Sequence, residues 1–292
     1  MDMRDDAGSE ESRFTVPTVL GEVSVRITGR DAGRPALLLL HANPGDRRDY
    51  DAVLPSFEKA HRVVGVDWPG YGQSTAAVPG RVTAEGLVAV AEQVLAALAD
   101  RGIGRLTVLG SSVGGYAALR LALRHPETIT GLILVAPAGF TRHNLVTRAF
   151  CRRVMGVPPV ARWLVTPLNR ALLGRLRTRS ARETYARART IRDDPARLEL
   201  HCAIWRSFAS PGFGLHAACA GFTTRTLLIW GRRDPVVPAL TDGRHARRAL
   251  AHAESVVMPT GHEPYNEDPG TFLEHVTPFL ERTASPGRGR GG

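Results

Sequence analysis

Apolar residues along this chain gather into short unbroken runs, separated by longer segments in which they recur at helical spacing. The run at 36–40 is apolar throughout, the pattern of a strand buried on both faces. Runs at 61–67, 106–109, 129–135, 225–230 and 254–258 predict further strands. Segments 48–59, 83–99, 113–124, 235–252 and 269–281 predict helices, with Thr83 as an N-cap and Gly102 and Gly104 closing the second. In the third, Tyr116, Leu119, Leu121 and Leu123 suit a helix docked on a sheet. Strand, helix and strand in succession imply parallel crossovers. The chain opens differently, with strands at 14–19 and 23–28 separated by Gly21 in a hairpin-like start.

Between 138 and 222 the strand pattern stops. Arginine-rich helical stretches replace it, broken at Pro158, Pro159, Pro167, Pro195 and Pro211, and they predict an inserted helical cap. The expected organisation is a disordered leader at 1–12, a core α/β domain at 13–137 and 223–284, the cap at 138–222, and a flexible tail at 285–292. No internal repeat is present.

Composition narrows the function classes. With 292 residues, 43% hydrophobic and 23% charged, the chain suits a soluble globular protein with one large domain or a core with an insertion. A net charge of +10 raises the possibility of a polyanionic partner. Lys59 is the only lysine, however, so the excess is arginine spread along the chain, and nucleic-acid binding is not expected. Arginine is densest from 142 to 197, which leaves an anionic substrate or partner near that segment open. Cys151, Cys202 and Cys219 are odd in number and lack ligand spacing, so neither a disulfide framework nor a metal site is expected. No cofactor is implied. The acidic first residues lack the apolar core of a signal peptide, and no apolar run approaches the about 20 residues of a membrane span. A cytoplasmic protein acting on a small-molecule substrate is the expectation, with its oligomeric state open.

Chemistry concentrates around Ser112. Gly110 and Gly114 flank it at minus two and plus two, the nucleophile-elbow spacing, whereas Ser111 has Leu109 and Val113 there. A strand that reverses into a helix at the nucleophile leaves no room for a Cβ at either glycine. The serine is then held in a strained conformation at the N-terminus of the helix, where free N–H groups favour negative charge.

A serine hydroxyl needs a base, and the base needs an orienting acid. In a parallel sheet the usable positions lie beyond the carboxyl ends of strands. His262 follows the last strand on a glycine-containing loop. His125 precedes Pro126, His245 and His252 fall on a helix, and His201 and His216 lie in the insertion. Asp234 follows the strand ending at Trp230, in a Gly-x-x-Asp-Pro turn that such an aspartate could also simply stabilise. Asp242 is a weaker substitute, and residues 136–139 after the preceding strand offer no carboxylate.

The order Ser112, Asp234, His262, together with Gly110-Ser-Ser-Val-Gly114, His41-Ala-Asn-Pro-Gly45, the glycine-rich loop 67–74, Gly231-Arg-Arg-Asp234 and Gly261-His262, resembles the α/β-hydrolase superfamily over almost the whole chain. The resemblance implies an eight-stranded, mostly parallel sheet flanked by helices, with a helical cap over the site. It also implies an oxyanion hole from the backbone N–H groups of Val113 and Asn43, the Asn43 side chain being free to face substrate. Ala42 departs from the pattern: relatives usually carry glycine there, and a methyl is expected to tilt the loop. His41 is expected to brace that loop, and 67–74 to be a structural turn with Trp68 lining the pocket. Phe140, Phe150, Trp163, Tyr185, Trp205, Phe208 and Phe213 are candidates for an apolar substrate pocket, although helical spacing suits most of them to ordinary packing, and Arg206 is a candidate partner for a substrate carboxylate. A serine nucleophile argues against haloalkane dehalogenase or epoxide hydrolase chemistry. Ester hydrolysis through an acyl-enzyme is the first expectation. Hydrolysis of a carbon–carbon bond in a vinylogous diketone follows, disfavoured because those relatives often carry asparagine at the position of Ser111. A non-catalytic ligand-binding relative is the third possibility.

Overall fold

A computed structural model describes residues 11–284. Eight strands form one sheet, β1 (Ser12–Thr18), β2 (Gly21–Gly29), β3 (Ala36–Leu40), β4 (Arg62–Val66), β5 (Leu106–Ser111), β6 (Ile129–Val135), β7 (Thr226–Gly231) and β8 (Glu254–Met258), in the order β1-β2-β4-β3-β5-β6-β7-β8. The β1–β2 and β2–β4 pairs are antiparallel and the rest parallel. Around them lie α1 (Leu54–Glu58), α2 (Ala84–Ala99), α3 (Val113–Arg124), α4 (Leu145–Ala149), α5 (Pro158–Leu172), α6 (Arg179–Arg189), α7 (Pro195–Phe208), α8 (Arg244–Ala249), α9 (Pro264–Glu267) and α10 (Pro269–Ala284).

The unbroken apolar runs follow from two-sided burial. Leu38, Leu40, Val64, Val108, Leu132 and Leu228 pack on one face of the sheet against α2 and α3. Leu37, Leu39, Val63, Leu109, Ile133 and Ile229 pack on the other with Phe57 and the apolar side of α10. Successive strand residues point to opposite faces, so covering both faces makes every position apolar. Thr83 caps α2 as its type suggests, its Oγ1 accepting the Gly86 N–H at 3.0 Å. Residues 138–222, between β6 and β7, contain α4 to α7 and no strand.

Three expectations need correction. The leader expected at 1–12 ends too late: Ser12 pairs with Ile27 in β1 and Glu11 bonds Arg26. The first ten residues and the tail from 285 lie outside the described residues. The helix expected at 48–59 is split into a 3-10 turn, Arg47–Tyr50, and the short α1. Asp46 caps the turn, and Pro55, which lacks an N–H, fits only the first turn of a new helix. The helix expected at 235–252 likewise begins with a wide turn at Ala239–Gly243, and α8 stops at Ala249.

Candidate active site

β5 runs directly into α3 at Ser112, whose φ of 53° and ψ of −116° are those of a strained non-glycine residue. Three backbone hydrogen bonds hold it there. Its N–H donates to Val135 O at 2.9 Å, and its carbonyl accepts from Tyr116 and Ala138, each at 3.0 Å. The glycines are sterically required: a Cβ on Gly110 would lie 2.8 Å from Gly115 Cα, and one on Gly114 2.7 Å from His41 O. Both obstructions are backbone and cannot yield. Ser112 opens into a cavity of about 300 Å³, whereas the adjacent Ser111 is fully buried and its hydroxyl has no hydrogen-bond partner among the described residues.

His262 lines the same cavity. Its Nδ1–H donates to Asp234 Oδ2 at 2.5 Å, and its backbone N–H donates to Leu172 O, at the end of α5, at 2.7 Å. The other carboxylate oxygen, Asp234 Oδ1, accepts the N–H groups of Val236 at 2.9 Å and Val237 at 3.0 Å. Asp234 therefore both stabilises its turn and grips the imidazole, one oxygen for each. Burial of the His262 ring disfavours its protonation, but the charge of Asp234 and its hydrogen bond, with Glu263 behind, outweigh that and raise its pKa above the ordinary histidine value. Asp242, the weaker candidate, makes no hydrogen bond to His262; burial pushes its carboxyl up to about 6. Among the described residues no hydrogen bond joins Ser112 Oγ to the imidazole in this conformation.

The backbone N–H groups of Val113 and Asn43 have no acceptor among the described residues. The Asn43 side chain lines the cavity and is free only at Nδ2, which has no hydrogen-bond partner among the described residues. Its Oδ1 accepts from Tyr71 OH at 2.6 Å and from His201 Nδ1 at 3.2 Å. Burial drives the His201 pKa down to about 3, so that ring is neutral. His41 braces the loop as expected. The Trp68 N–H donates to its Nε2 at 2.9 Å, which leaves Nδ1 protonated to donate to Ala42 O at 2.8 Å. Ala42 is buried within this bracing, beside a cis Asn43–Pro44 bond.

Of the expected pocket residues, Phe150, Trp205, Phe208 and Phe213 line the cavity and Tyr185 does not. Trp68 lies fully buried beside the loop that follows β3, donating from its indole to His41 O at 2.8 Å. Phe140 is also fully buried, packed edge-on against His216, so its neighbours Gly139 and Thr141 line the cavity instead. Trp163 is 69% exposed, because α5 turns Ala161, Val165 and Asn169 inward. Arg206 is engaged elsewhere, with Gly156 O and Glu199 Oε1, each at 2.6 Å. Residue type alone does not signal the remaining walls, Leu168 and Val236, nor the partly buried His143. Among the described residues no arginine or lysine lines this cavity. Cys151 does, but burial pushes its thiol up to about 11 and keeps it protonated. Among the described residues no cluster of three or more His, Cys, Asp or Glu suits a metal ion, and no helix is long and apolar enough to cross a membrane. A second cavity of about 360 Å³, bordered by Arg175, Arg177 and Arg233, contains neither Ser112 nor His262.

The profile of the alpha/beta hydrolase fold matches residues 35–269. The chain is 26% identical over 283 residues to the dihydrolipoyllysine-residue acetyltransferase component of the acetoin cleaving system of Cupriavidus necator, covering 92% of this chain and 70% of that one. It is 28% identical over 276 residues to a pimeloyl-(acyl-carrier protein) methyl ester esterase of Nitrosomonas europaea, covering 87% and 98%. Among solved structures, a thermophilic esterase from Thermogutta terrifontis aligns with a TM-score of 0.73 at 22% identity, over 94% of this chain and 100% of that one, a likeness of fold.

Proposed function

Since the chain belongs to the alpha/beta hydrolase fold family, we propose that it is a serine-dependent ester hydrolase with Ser112 as nucleophile, His262 as general base and Asp234 as the acid that orients it. The observation that carries this reading is the shared cavity: a strained elbow serine and an imidazole bonded to a buried aspartate both face it. Ser112 Oγ adds to the ester carbonyl while His262 takes its proton. The oxyanion is met by the N–H groups of Val113 and Asn43, and each such donor is worth about 2.7–4 kcal/mol in the transition state. His262 returns the proton to the departing alcohol, then activates water to release the acid from the acyl-enzyme. The contact between hydroxyl and imidazole tightens when substrate is bound, as is common in this chemistry.

Residues 138–222 act in this reading as a cap, supplying Phe150, Leu168, Trp205, Phe208 and Phe213 to the walls. The names of the two relatives, an acetyltransferase component and a methyl ester esterase, support acyl chemistry. A cavity without lysine or arginine supports a neutral acyl group over an anionic diketone acid. The test is a fluorophosphonate probe read by mass spectrometry, together with p-nitrophenyl ester hydrolysis. Labelling of Ser112 and turnover, both abolished in Ser112→Ala, are expected. A folded wild-type protein that takes no label would point to ligand binding instead.

A further inference from the structure

Behind the cavity, three carboxyl groups lie buried together: Asp46 and Asp49 on the segment following Asn43, and Glu263 next to His262. Helix α6 meets all of this ground. Arg187 Nη2 donates to Asp49 Oδ1 at 2.7 Å, and its Nε lies 3.5 Å from Asp46 Oδ2. Thr184 Oγ1 bonds the same Asp49 oxygen at 3.4 Å and accepts from Asn266 Nδ2 at 3.5 Å. That amide also donates to Glu263 Oε2 at 2.7 Å. Thr178, the N-cap of α6, donates to Asn266 O at 2.5 Å, and Ser180 bonds the Asn266 side chain. On the far side, Asp49 Oδ2 accepts the Asp46 N–H at 3.1 Å, fixing the turn that follows Asn43.

One helix of the insertion is thus bonded at once to the loop bearing Asn43 and to the loop bearing His262. Neither Thr184 nor Arg187 lines the Ser112 cavity. We propose that Arg187 is a positioning residue, whose charge holds the buried Asp46 and Asp49 and so sets the oxyanion loop and the His262 loop in register. The inference rests on the catalytic reading above.

The electrostatics support it. Burial, then the charges of Glu263 and Asp46, raise the Asp49 pKa well above the usual carboxylate range, and Arg187 opposes them. Tyr50 and Tyr265 also face this group and cannot neutralise it, since burial raises both phenols, and Arg48 grips both oxygens of Asp46 at 2.9 and 2.7 Å, so Arg187 is the cation bonded to Asp49. A carboxyl whose folded pKa is raised costs stability as pH climbs from its unfolded value toward the folded one, above which the cost levels off. Removing the guanidinium raises it further, so the loss must deepen with pH, which a simple packing defect would not do.

The experiment compares wild type with Arg187→Met, Arg187→Lys and Arg187→Met combined with Asp49→Asn. In Arg187→Met, kcat is expected to fall about tenfold or more while KM stays within about threefold, the signature of misplaced groups. Its Tm deficit relative to wild type is expected to be larger at pH 8 than at pH 5. Asp49→Asn, by removing the stranded charge, is expected to restore both Tm and kcat in part. Should Arg187→Met not fold, Arg187→Lys carries the same measurements, since its point charge keeps some of the attraction without the fork. An unchanged kcat, a pH-independent Tm deficit or no rescue by Asp49→Asn overturns the inference while leaving the catalytic reading intact. A wild type that cleaves no ester and takes no probe removes the catalytic reading itself.

Discussion

The two oxygens of Asp234 divide their labour: one is held by the Val236 and Val237 amides, and the other meets the His262 ring. Fixing one oxygen fixes the direction of the other, so the imidazole is presented in a single tautomer. Two measurements follow at this scale. Because a general base works only when neutral, kcat/KM is expected to rise with pH through an inflection above the ordinary histidine value near 6.5, and to be lost as pH falls below it. Asp234→Asn keeps a carbonyl for the amides but removes the charge that raises the ring pKa. Its inflection should move to lower pH and its kcat fall by about 10⁴; a flat profile from pH 5 to 9 in wild type would argue against His262. These residues were legible because strand ends, glycine spacing and chain order all constrain them. Trp68, Phe140, Trp163 and Arg206 were not. Which way a side chain turns on its element depends on packing partners distant in sequence, such as His41 for Trp68 and Glu199 for Arg206. The acidic group around Asp49 carried no signal either, since α6 and residues 46–49 meet only in the folded chain.

Among the elements, the junction of β5 and α3 leaves no room for added side chains at its glycines. Gly114 lies against the end of β3, where the loop bearing Asn43 begins. Gly114→Ala drives a methyl into the backbone at Leu40 and His41, at a cost of about 1–3 kcal/mol for overpacking. At roughly 2–4 °C of Tm per kcal/mol for a chain of this size, thermal denaturation reads the loss directly. Gly104→Ala is the control: nothing lies within 4 Å of a Cβ there, and its Tm is expected to match wild type. Equal Tm values for the two variants would refute the steric account. The strands were legible almost to the residue, since β6 and β8 begin and end where the apolar runs do. Helices with a strong cap, such as α2, were equally clear. Those near Pro55 and Pro238 were not, because a proline permits either a break or a fresh start.

At the scale of the whole molecule, charge and cavity point in different directions. The chain is strongly basic, but guanidinium groups such as those of Arg47, Arg124 and Arg187 are paired with carboxylates, and among the described residues none lines the cavity beside Ser112. An acyl chain entering it meets Leu168, Phe208 and Phe213. Each buried methylene contributes about 0.8 kcal/mol, roughly fourfold in kcat/KM, until the space is full. A p-nitrophenyl ester whose acyl chain ends in a carboxylate should react at least about a hundredfold more slowly than the neutral ester of equal length, since no cation awaits the charge. Comparable rates for the pair would refute an uncharged substrate.

One bond has a bearing on how such a protein can be re-engineered. The amide of His262 is completed by a carbonyl from Leu172, so the loop that carries the ring is only part of what seats it. A chimera that exchanges the insertion for a foreign one inherits a vacancy at that amide. Transplants that supply an equivalent acceptor should keep turnover, and those chosen only for the shape of their walls should lose it.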